Sequence, residues 1–168
     1  MQDTPFFWSH GRESAPLLLC MHGIGSCADA FLSQCALADD LGYRLVAWDA
    51  PGYRHSSDPV DDPGLDGWAD AAANLVRTLG YQNAVVLGVS WGGVIATRLA
   101  LRHTDLVRAL VLADSSVGSG TNPKQAEAMR GRSGSLTELG AAEFARQRSP
   151  LLVAESASAE VLSDTEQF

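Results

Sequence analysis

The segment Gly88-Val89-Ser90-Trp91-Gly92 constrains the fold of this chain more than any other feature. An apolar run at residues 84–87 precedes it and is typical of a buried strand. Residues 93–101 follow it with apolar side chains at helical spacing. A strand that turns at once into a helix leaves room only for small residues beside the serine, and the two glycines supply them. We therefore predict a sharp turn that exposes Ser90 at a helix N-terminus, where the helix dipole stabilises developing negative charge. The alternative is that Ser90 only caps the helix.

A second glycine-rich segment, His22-Gly23-Ile24-Gly25, follows an apolar strand pattern at residues 17–21. A serine nucleophile needs backbone N–H groups that hold the negative oxygen formed during its attack. The N–H of Trp91, directly after the serine, is one candidate donor, and the N–H of Ile24 is the other. His22, Gly23 and Gly25 are the candidate substrate-binding residues of the same loop.

These segments together resemble the α/β-hydrolase superfamily. The resemblance rests on three motifs in family order: His22-Gly-Ile-Gly, Asp49-Ala-Pro-Gly-Tyr and Gly-Val-Ser90-Trp-Gly-Gly. It implies an α/β fold with a mostly parallel sheet and flanking helices. The chain is most similar to the capped serine hydrolases: enol-lactonases, carbon–carbon bond hydrolases, esterases and polyester depolymerases. Dehalogenases and epoxide hydrolases of this fold use Asp at the turn, so Ser90 implies hydrolysis of an ester, a lactone or a related carbonyl substrate through an acyl-enzyme.

One position departs from the family pattern. After Pro51-Gly52-Tyr53 the family usually has a further glycine, and this chain has Arg54 there. The usual geometry of this loop is therefore not assured.

A different class of protein also fits part of the sequence. Residues 23–28 match the G-x-G-x-x-A fingerprint of dinucleotide-binding proteins, and Asp49 lies near the spacing of the acid that binds the ribose. This interpretation predicts a Rossmann NAD(P)-dependent oxidoreductase. It leaves residues 88–93 unexplained, and Pro51-Gly52 directly after Asp49 favours a tight turn. We therefore favour a hydrolase that needs no cofactor and no metal.

A serine nucleophile also needs a histidine base and a carboxylate, which in this family follow the serine along the chain. The one histidine after Ser90 is His103, which lies in the same predicted helix and is therefore about 20 Å away. His55 precedes the serine, against the family order. Asp114 directly follows the next predicted strand and is the candidate acid.

Strands alternate with helices up to residue 113, which is typical of a parallel sheet with right-handed crossovers. From residue 117 the pattern changes to three short predicted helices, at residues 124–130, 136–148 and 152–162. We predict a hydrolase core over residues 1–116 and a helical cap region over 117–168, with ordinary sheet-flanking helices as the alternative. The resemblance implies that the final core strands, with the histidine base, lie outside this chain, in a complementary C-terminal segment. Without a base, the chain is alternatively a non-catalytic binding or interaction protein on a truncated hydrolase scaffold.

The composition limits which binding partners and which cellular compartment are expected. The chain has 168 residues and a formal net charge of −8, which argues against nucleic-acid binding, because such binding needs a basic face. Its three cysteines are an odd number without a C-x-x-C pair, which favours the cytoplasm. We see neither a signal peptide nor an apolar run of membrane-spanning length. The expected partner is a small-molecule ester or lactone rather than nucleic acid or a membrane.

Overall fold

The computed structural model describes residues 4–117 and 122–167 and places five strands in one sheet. The strands are β1 (Phe7–His10), β2 (Leu17–Met21), β3 (Arg44–Trp48), β4 (Ala84–Val89) and β5 (Val107–Ala113), in the order β1-β3-β2-β4-β5. Strands β2 to β5 run parallel, and β1 pairs antiparallel with β3 at the edge. The predicted α/β class with a mostly parallel sheet is therefore confirmed.

Three helices join these strands: α1 (Cys35–Leu41), α2 (Gly64–Thr78) and α3 (Trp91–Arg102). The apolar spacing of residues 28–41 predicts one continuous α-helix. The structure corrects this prediction, because a 3₁₀ helix over Ala28–Gln34 precedes α1. The buried residues of this segment, Ala28 and Phe31, are three positions apart, and that spacing suits the three-residue period of a 3₁₀ helix. Gly42 ends α1 in the left-handed conformation that a glycine adopts readily.

Helices cover both faces of the parallel strands β2 and β3, which explains why these two strands are continuous apolar runs rather than alternating ones. On one face, α2 and α3 bury small and branched side chains against β2, β3 and β4; among them are Ala72, Leu75, Val76, Ile95 and Leu99. On the other face, a smaller cluster contains Cys20, Phe31, Ala38, Leu45 and Ala47. Alternate residues of β2 therefore serve different faces, and the carboxyl ends of the parallel strands are held at one edge of the sheet.

A polar network joins the outer surfaces of α2 and α3. Asp66 accepts hydrogen bonds from Arg98 at 2.5 Å and from Arg102 at 3.1 Å, and Asp70 accepts from Arg102 at 2.9 Å and pairs with His103 at 2.7 Å. These bonds lower the pKa of both carboxyl groups. The network places His103 at the end of α3 that lies away from Ser90.

The chain divides into two compact units, Met1–Ser116 and Val117–Phe168. The second unit contains α4 (Pro123–Leu139), α5 (Ala141–Arg148), a 3₁₀ turn over Ser149–Leu151 and α6 (Ala159–Gln167). Helix α4 runs on through Gly131 and Gly134, so the helix boundaries predicted at residues 130 and 136 are wrong. Each glycine costs only about 1 kcal/mol relative to alanine, and Asn122 caps the helix by accepting from the N–H of Lys124 at 3.0 Å. Among the described residues, no helix has the length and apolar character that crossing a membrane requires.

Candidate active site

Ser90 stands at the junction of β4 and α3 in an unusual backbone conformation. Its φ is 52° and its ψ is −117°, in a region that costs a non-glycine residue on the order of 1–3 kcal/mol. Two hydrogen bonds fix it there: its N–H donates to Ala113 O at 2.9 Å, and its carbonyl accepts from Gly93 N at 3.0 Å. The residue is exposed, and its side chain makes no capping hydrogen bond to α3. The hydroxyl is thus presented at the carboxyl edge of the sheet.

Three glycines make this tight turn possible. A Cβ on Gly88 would come within 2.5 Å of Gly92 O, and a Cβ on Gly92 would come within 2.5 Å of His22 O. A Cβ on Gly93 would lie 2.7 Å from Ser115 Cβ. Because real Cβ atoms do not approach other heavy atoms so closely, Gly92 lets α3 pack directly against the end of β2, Gly88 lets β4 turn into α3, and Gly93 makes room for Ser115.

The loop after β2 lies against Ser90. A Cβ on Gly23 would lie 3.3 Å from Ser90 Cβ and 3.9 Å from Ser90 Oγ. The chain then turns at Gly25, where φ is 73°, and Ser26 N donates to Gly23 O at 3.3 Å. Among residues 4–117, neither the N–H of Ile24 nor that of Trp91 donates to another protein group. Both predicted oxyanion donors are therefore available to a ligand at Ser90.

His22 is buried beneath this loop rather than exposed to the site. Its Nε2 accepts from Ala50 N at 3.1 Å, and its Nδ1 lies 2.8 Å from Gly23 O. A nitrogen that accepts a hydrogen bond carries no proton, so the proton is on Nδ1, which donates to the carbonyl, and the ring is neutral. Burial lowers the pKa of His22, which agrees with this state. Both ring nitrogens are engaged, so His22 ties the loop to the end of β3.

Asp49 and His55 form a pair on the other side of the same loop. Asp49 is 1% exposed; its Oδ1 accepts from Ala28 N at 2.8 Å, and its Oδ2 lies 2.9 Å from His55 Nδ1. The His55 ring packs against Phe6 with ring centroids 4.6 Å apart, beside the antiparallel edge strand. Strands β3 and β2 separate that edge from β4, and each strand spacing is about 4.8 Å. Within residues 4–117, His55 makes its hydrogen bonds to Asp49 and none to Ser90.

The other two histidines also have partners away from the site: His10 pairs with Asp39 at 2.7 Å, and His103 pairs with Asp70. Asp114, the candidate acid, is exposed and directly follows Ala113, whose carbonyl accepts from Ser90 N. The structure thus brings Ser90, Ile24, Trp91 and Asp114 to the carboxyl edge of the sheet, and within residues 4–117 no hydrogen bond joins a histidine side chain to Ser90.

An aromatic cluster that sequence reasoning missed anchors the residue after the serine. The Trp91 ring packs edge-on against Trp68, with centroids 4.7 Å apart, and lies 5.7 Å from the Tyr53 ring. Trp68 Nε1 donates to Pro51 O at 3.2 Å. The sequence pattern predicts a helix over residues 68–79 that begins at Trp68, but it does not indicate the partner Trp91, which lies 23 residues further along the chain. The indole of Trp91 therefore packs against other aromatic rings of the protein.

The described residues provide neither a group of metal ligands nor an unoccupied Asp49 carboxylate for a dinucleotide. Among residues 4–117 and 122–167, no three His, Cys, Asp or Glu side chains are grouped as metal ligands would be. Asp49 would have to bind the ribose of a dinucleotide, but its oxygens already accept from Ala28 and His55.

The family comparison decides between the two fold interpretations. The alpha/beta hydrolase fold family matches residues 16–155. This chain belongs to that family. The dinucleotide-binding interpretation of residues 23–28 is therefore wrong, because the glycines there shape the loop beside Ser90 instead.

Named relatives include more than one kind of hydrolase. The chain is 38% identical over 99 residues to the pimeloyl-[acyl-carrier protein] methyl ester esterase of Shewanella woodyi, covering 59% of this chain and 36% of that protein. It is 33% identical over 106 residues to epoxide hydrolase 3 of Xenopus tropicalis, covering 61% of this chain and 28% of that protein. The crystal structure of a hydrolase from Pseudomonas aeruginosa PA01 superposes with a TM-score of 0.77 at 26% identity, covering 96% of this chain and 60% of that one. The chain thus spans about a third of the length of these two sequence relatives.

Proposed function

We propose that this protein is a serine hydrolase in which Ser90 attacks the carbonyl carbon of an ester or lactone. The observation that carries the proposal is the backbone of Ser90, an exposed serine held at φ 52° between β4 and α3. Strained conformations that the surrounding structure holds in place cluster at active sites. A serine that only capped α3 would have its side chain on a helix N–H, and Ser90 does not.

The proposed reaction has two stages. Ser90 Oγ bonds to the carbonyl carbon, its proton passes to a general base, and the carbonyl electron pair moves onto oxygen. The N–H groups of Ile24 and Trp91 bind that oxyanion. Collapse of the intermediate breaks the bond to the leaving alcohol, which takes the proton from the base and leaves an acyl-enzyme. A water molecule, deprotonated by the same base, then bonds to the acyl carbon; the bond to Ser90 Oγ breaks, the base returns the proton to Oγ, and the acid is released.

An ester fits this site better than an epoxide does. One relative is named as a methyl ester esterase and another as an epoxide hydrolase, so the family assignment alone leaves both open. The epoxide hydrolases of this fold use Asp at the turn, and this chain has Ser90. The serine therefore favours ester or lactone chemistry.

We infer that the general base comes from residues outside this chain. Each of its four histidines makes hydrogen bonds to residues other than Ser90. Strand β5 is at the sheet edge and leaves Val111 47% and Leu112 49% exposed, a surface that further strands would cover. If no such segment exists, the same lack of a base favours the second candidate, a non-catalytic binding protein on a hydrolase scaffold.

The three cysteines of the chain are free thiols. This supports the cytoplasmic location proposed from the sequence, because reducing compartments keep thiols unpaired.

A fluorophosphonate probe tests the nucleophile on the full-length protein. We expect the probe to label Ser90, as mapped by mass spectrometry, and Ser90→Ala to lose labelling together with hydrolysis of a p-nitrophenyl ester. The loss in kcat should be about 10⁴-fold or more. Ser57→Ala, which alters another exposed serine on a neighbouring loop, is the matched control and should retain both. Persistent labelling or turnover in Ser90→Ala would refute the assignment.

The source of the base is tested on active, purified material by denaturing gel and intact mass. We expect a longer chain, or a second polypeptide, that contains a histidine required for turnover. Full esterase activity from a single species of these 168 residues would contradict the inference.

A further inference from the structure

Arg54 joins the loop after β3 to the loop that contains Ile24. Its Nη1 donates to Cys27 Sγ at 2.9 Å and to Asp29 Oδ2 at 2.8 Å. Cys27 is 1% exposed, whereas Arg54 and Asp29 are partly exposed. One guanidinium nitrogen therefore contacts two residues at the far end of the loop beside Ser90.

The backbone conformation of Arg54 is unusual for a residue that is not glycine. Its φ is 40°, a left-handed conformation that glycine adopts freely and that residues with a Cβ adopt at a cost. Such a conformation persists in a non-glycine residue only when the surroundings hold it in place. An exposed ion pair contributes little stability by itself. A gain in stability therefore does not explain why Arg54 occupies this position, whereas its contacts with the neighbouring loop do.

A second bond acts at the same point of the loop. Asp49 Oδ1 accepts from Ala28 N at 2.8 Å, between the two residues that Arg54 contacts. Residues 27, 28 and 29 thus each make a hydrogen bond to Asp49 or Arg54, in the segment after β3. Only three residue steps separate Ile24 from Cys27, and the turn between them is closed by the bond from Ser26 N to Gly23 O. A shift at residues 27–29 would move the Ile24 peptide with it.

We propose that Arg54 is a positioning residue that fixes the loop of residues 23–29 so that the N–H of Ile24 points at the oxyanion formed at Ser90. This role rests on the hydrolase function proposed above. The contacts made by Arg54 belong to the free enzyme, but the group they orient is needed only in the transition state. The loss of these contacts should therefore lower kcat and leave KM nearly unchanged.

Two substitutions separate the side chain from its backbone strain. Arg54→Ala removes the contacts and keeps a Cβ at φ 40°, whereas Arg54→Gly removes the contacts and the strain together. With a p-nitrophenyl ester and the full-length protein, we expect both variants to lose about tenfold in kcat, with KM within about twofold. Arg54→Gly should nevertheless unfold at a higher temperature than Arg54→Ala. Arg12→Ala, at an exposed arginine of the β1–β2 loop, is the matched control and should behave as the parent protein.

Amide hydrogen exchange measures directly how firmly the loop of residues 23–29 is held. We expect the amides of residues 24–29 to exchange about tenfold faster in both Arg54 variants, while those of β4 stay unchanged. An unchanged kcat or unchanged exchange at residues 24–29 in both variants would overturn the positioning role. So would an Arg54→Gly variant that keeps the parent kcat, because Arg54 would then be only a strained residue. If Ser90→Ala retains turnover, the hydrolase function itself fails, and Arg54 loses its proposed role with it.

Discussion

Gly92→Ala should strongly destabilise the protein, although alanine is normally the better helix residue. In an open helix the change would gain about 1 kcal/mol. At this position the new Cβ would lie 2.5 Å from His22 O and 2.6 Å from Met21 C. Both are backbone atoms of β2 or its end, and β2 is held between β3 and β4, so neither side can move without breaking sheet hydrogen bonds. Overpacking costs about 1–3 kcal/mol, and a rigid backbone places this case near 3 kcal/mol.

Thermal unfolding followed by tryptophan fluorescence and far-UV circular dichroism measures the effect. The four tryptophans all lie before residue 117, so fluorescence reports on the unit that contains Gly92. A loss of about 3 kcal/mol lowers Tm by about 6–12 °C in a protein of this size. Gly131→Ala is the matched control: that glycine is in α4 with nothing within 4 Å of a Cβ, so helicity should be kept or raised. A Gly92→Ala variant with the Tm of the parent would refute the direct packing of α3 on β2.

Two further predictions concern titration and thiol reactivity. Burial lowers the pKa of His22 below its ordinary 6.5, so the folded chain binds fewer protons than the unfolded chain below that pH. The free energy of unfolding should therefore fall as the pH drops from about 7 to about 5, and His22→Gln should flatten that slope in calorimetric scans; an unchanged slope would contradict the buried neutral ring. Burial also raises the pKa of the Cys20 thiol to about 12, and Cys35 is the least buried of the three cysteines. Mass-mapped alkylation of the native protein should therefore reach Cys35 first, and early modification of Cys20 would contradict its burial.

Local patterns were sufficient to predict the elements around Ser90. Apolar runs and glycines marked β2, β4 and α3 to within a residue or two, because a buried parallel strand needs continuous apolar residues and the turn tolerates only glycine beside the serine. The same reasoning failed at residues 28–34 and 131–135. At residues 28–34 the choice between a 3₁₀ and an α-helix depends on small energy differences that tertiary contacts decide. At residues 131–135 the two glycines cost only about 1 kcal/mol each, which is too little to end the helix.

The contacts that organise the site were beyond local patterns. Arg54 and Cys27 are 27 positions apart, and their contact depends on how two loops meet at one edge of the sheet. The sequence did show that Arg54 was an unusual residue for its loop. It did not show what the side chain would contact, because single-sequence periodicity contains no information about which loops become neighbours.

Backbone strain in the described residues is distributed unevenly over the sheet. The three non-glycine residues with positive φ are Arg54, Ser90 and Asp114, and each lies in the loop that follows β3, β4 or β5. These loops all emerge at the carboxyl edge. At the opposite edge, the positive-φ positions beside the strands are glycines, at residues 11, 42 and 80. Glycine would give the same conformations at less cost, so a side chain kept under strain indicates that the side chain itself is needed. That reasoning unites the proposed nucleophile, the proposed positioning arginine and the candidate acid at one edge of the sheet, which is where ligands of open α/β sheets bind.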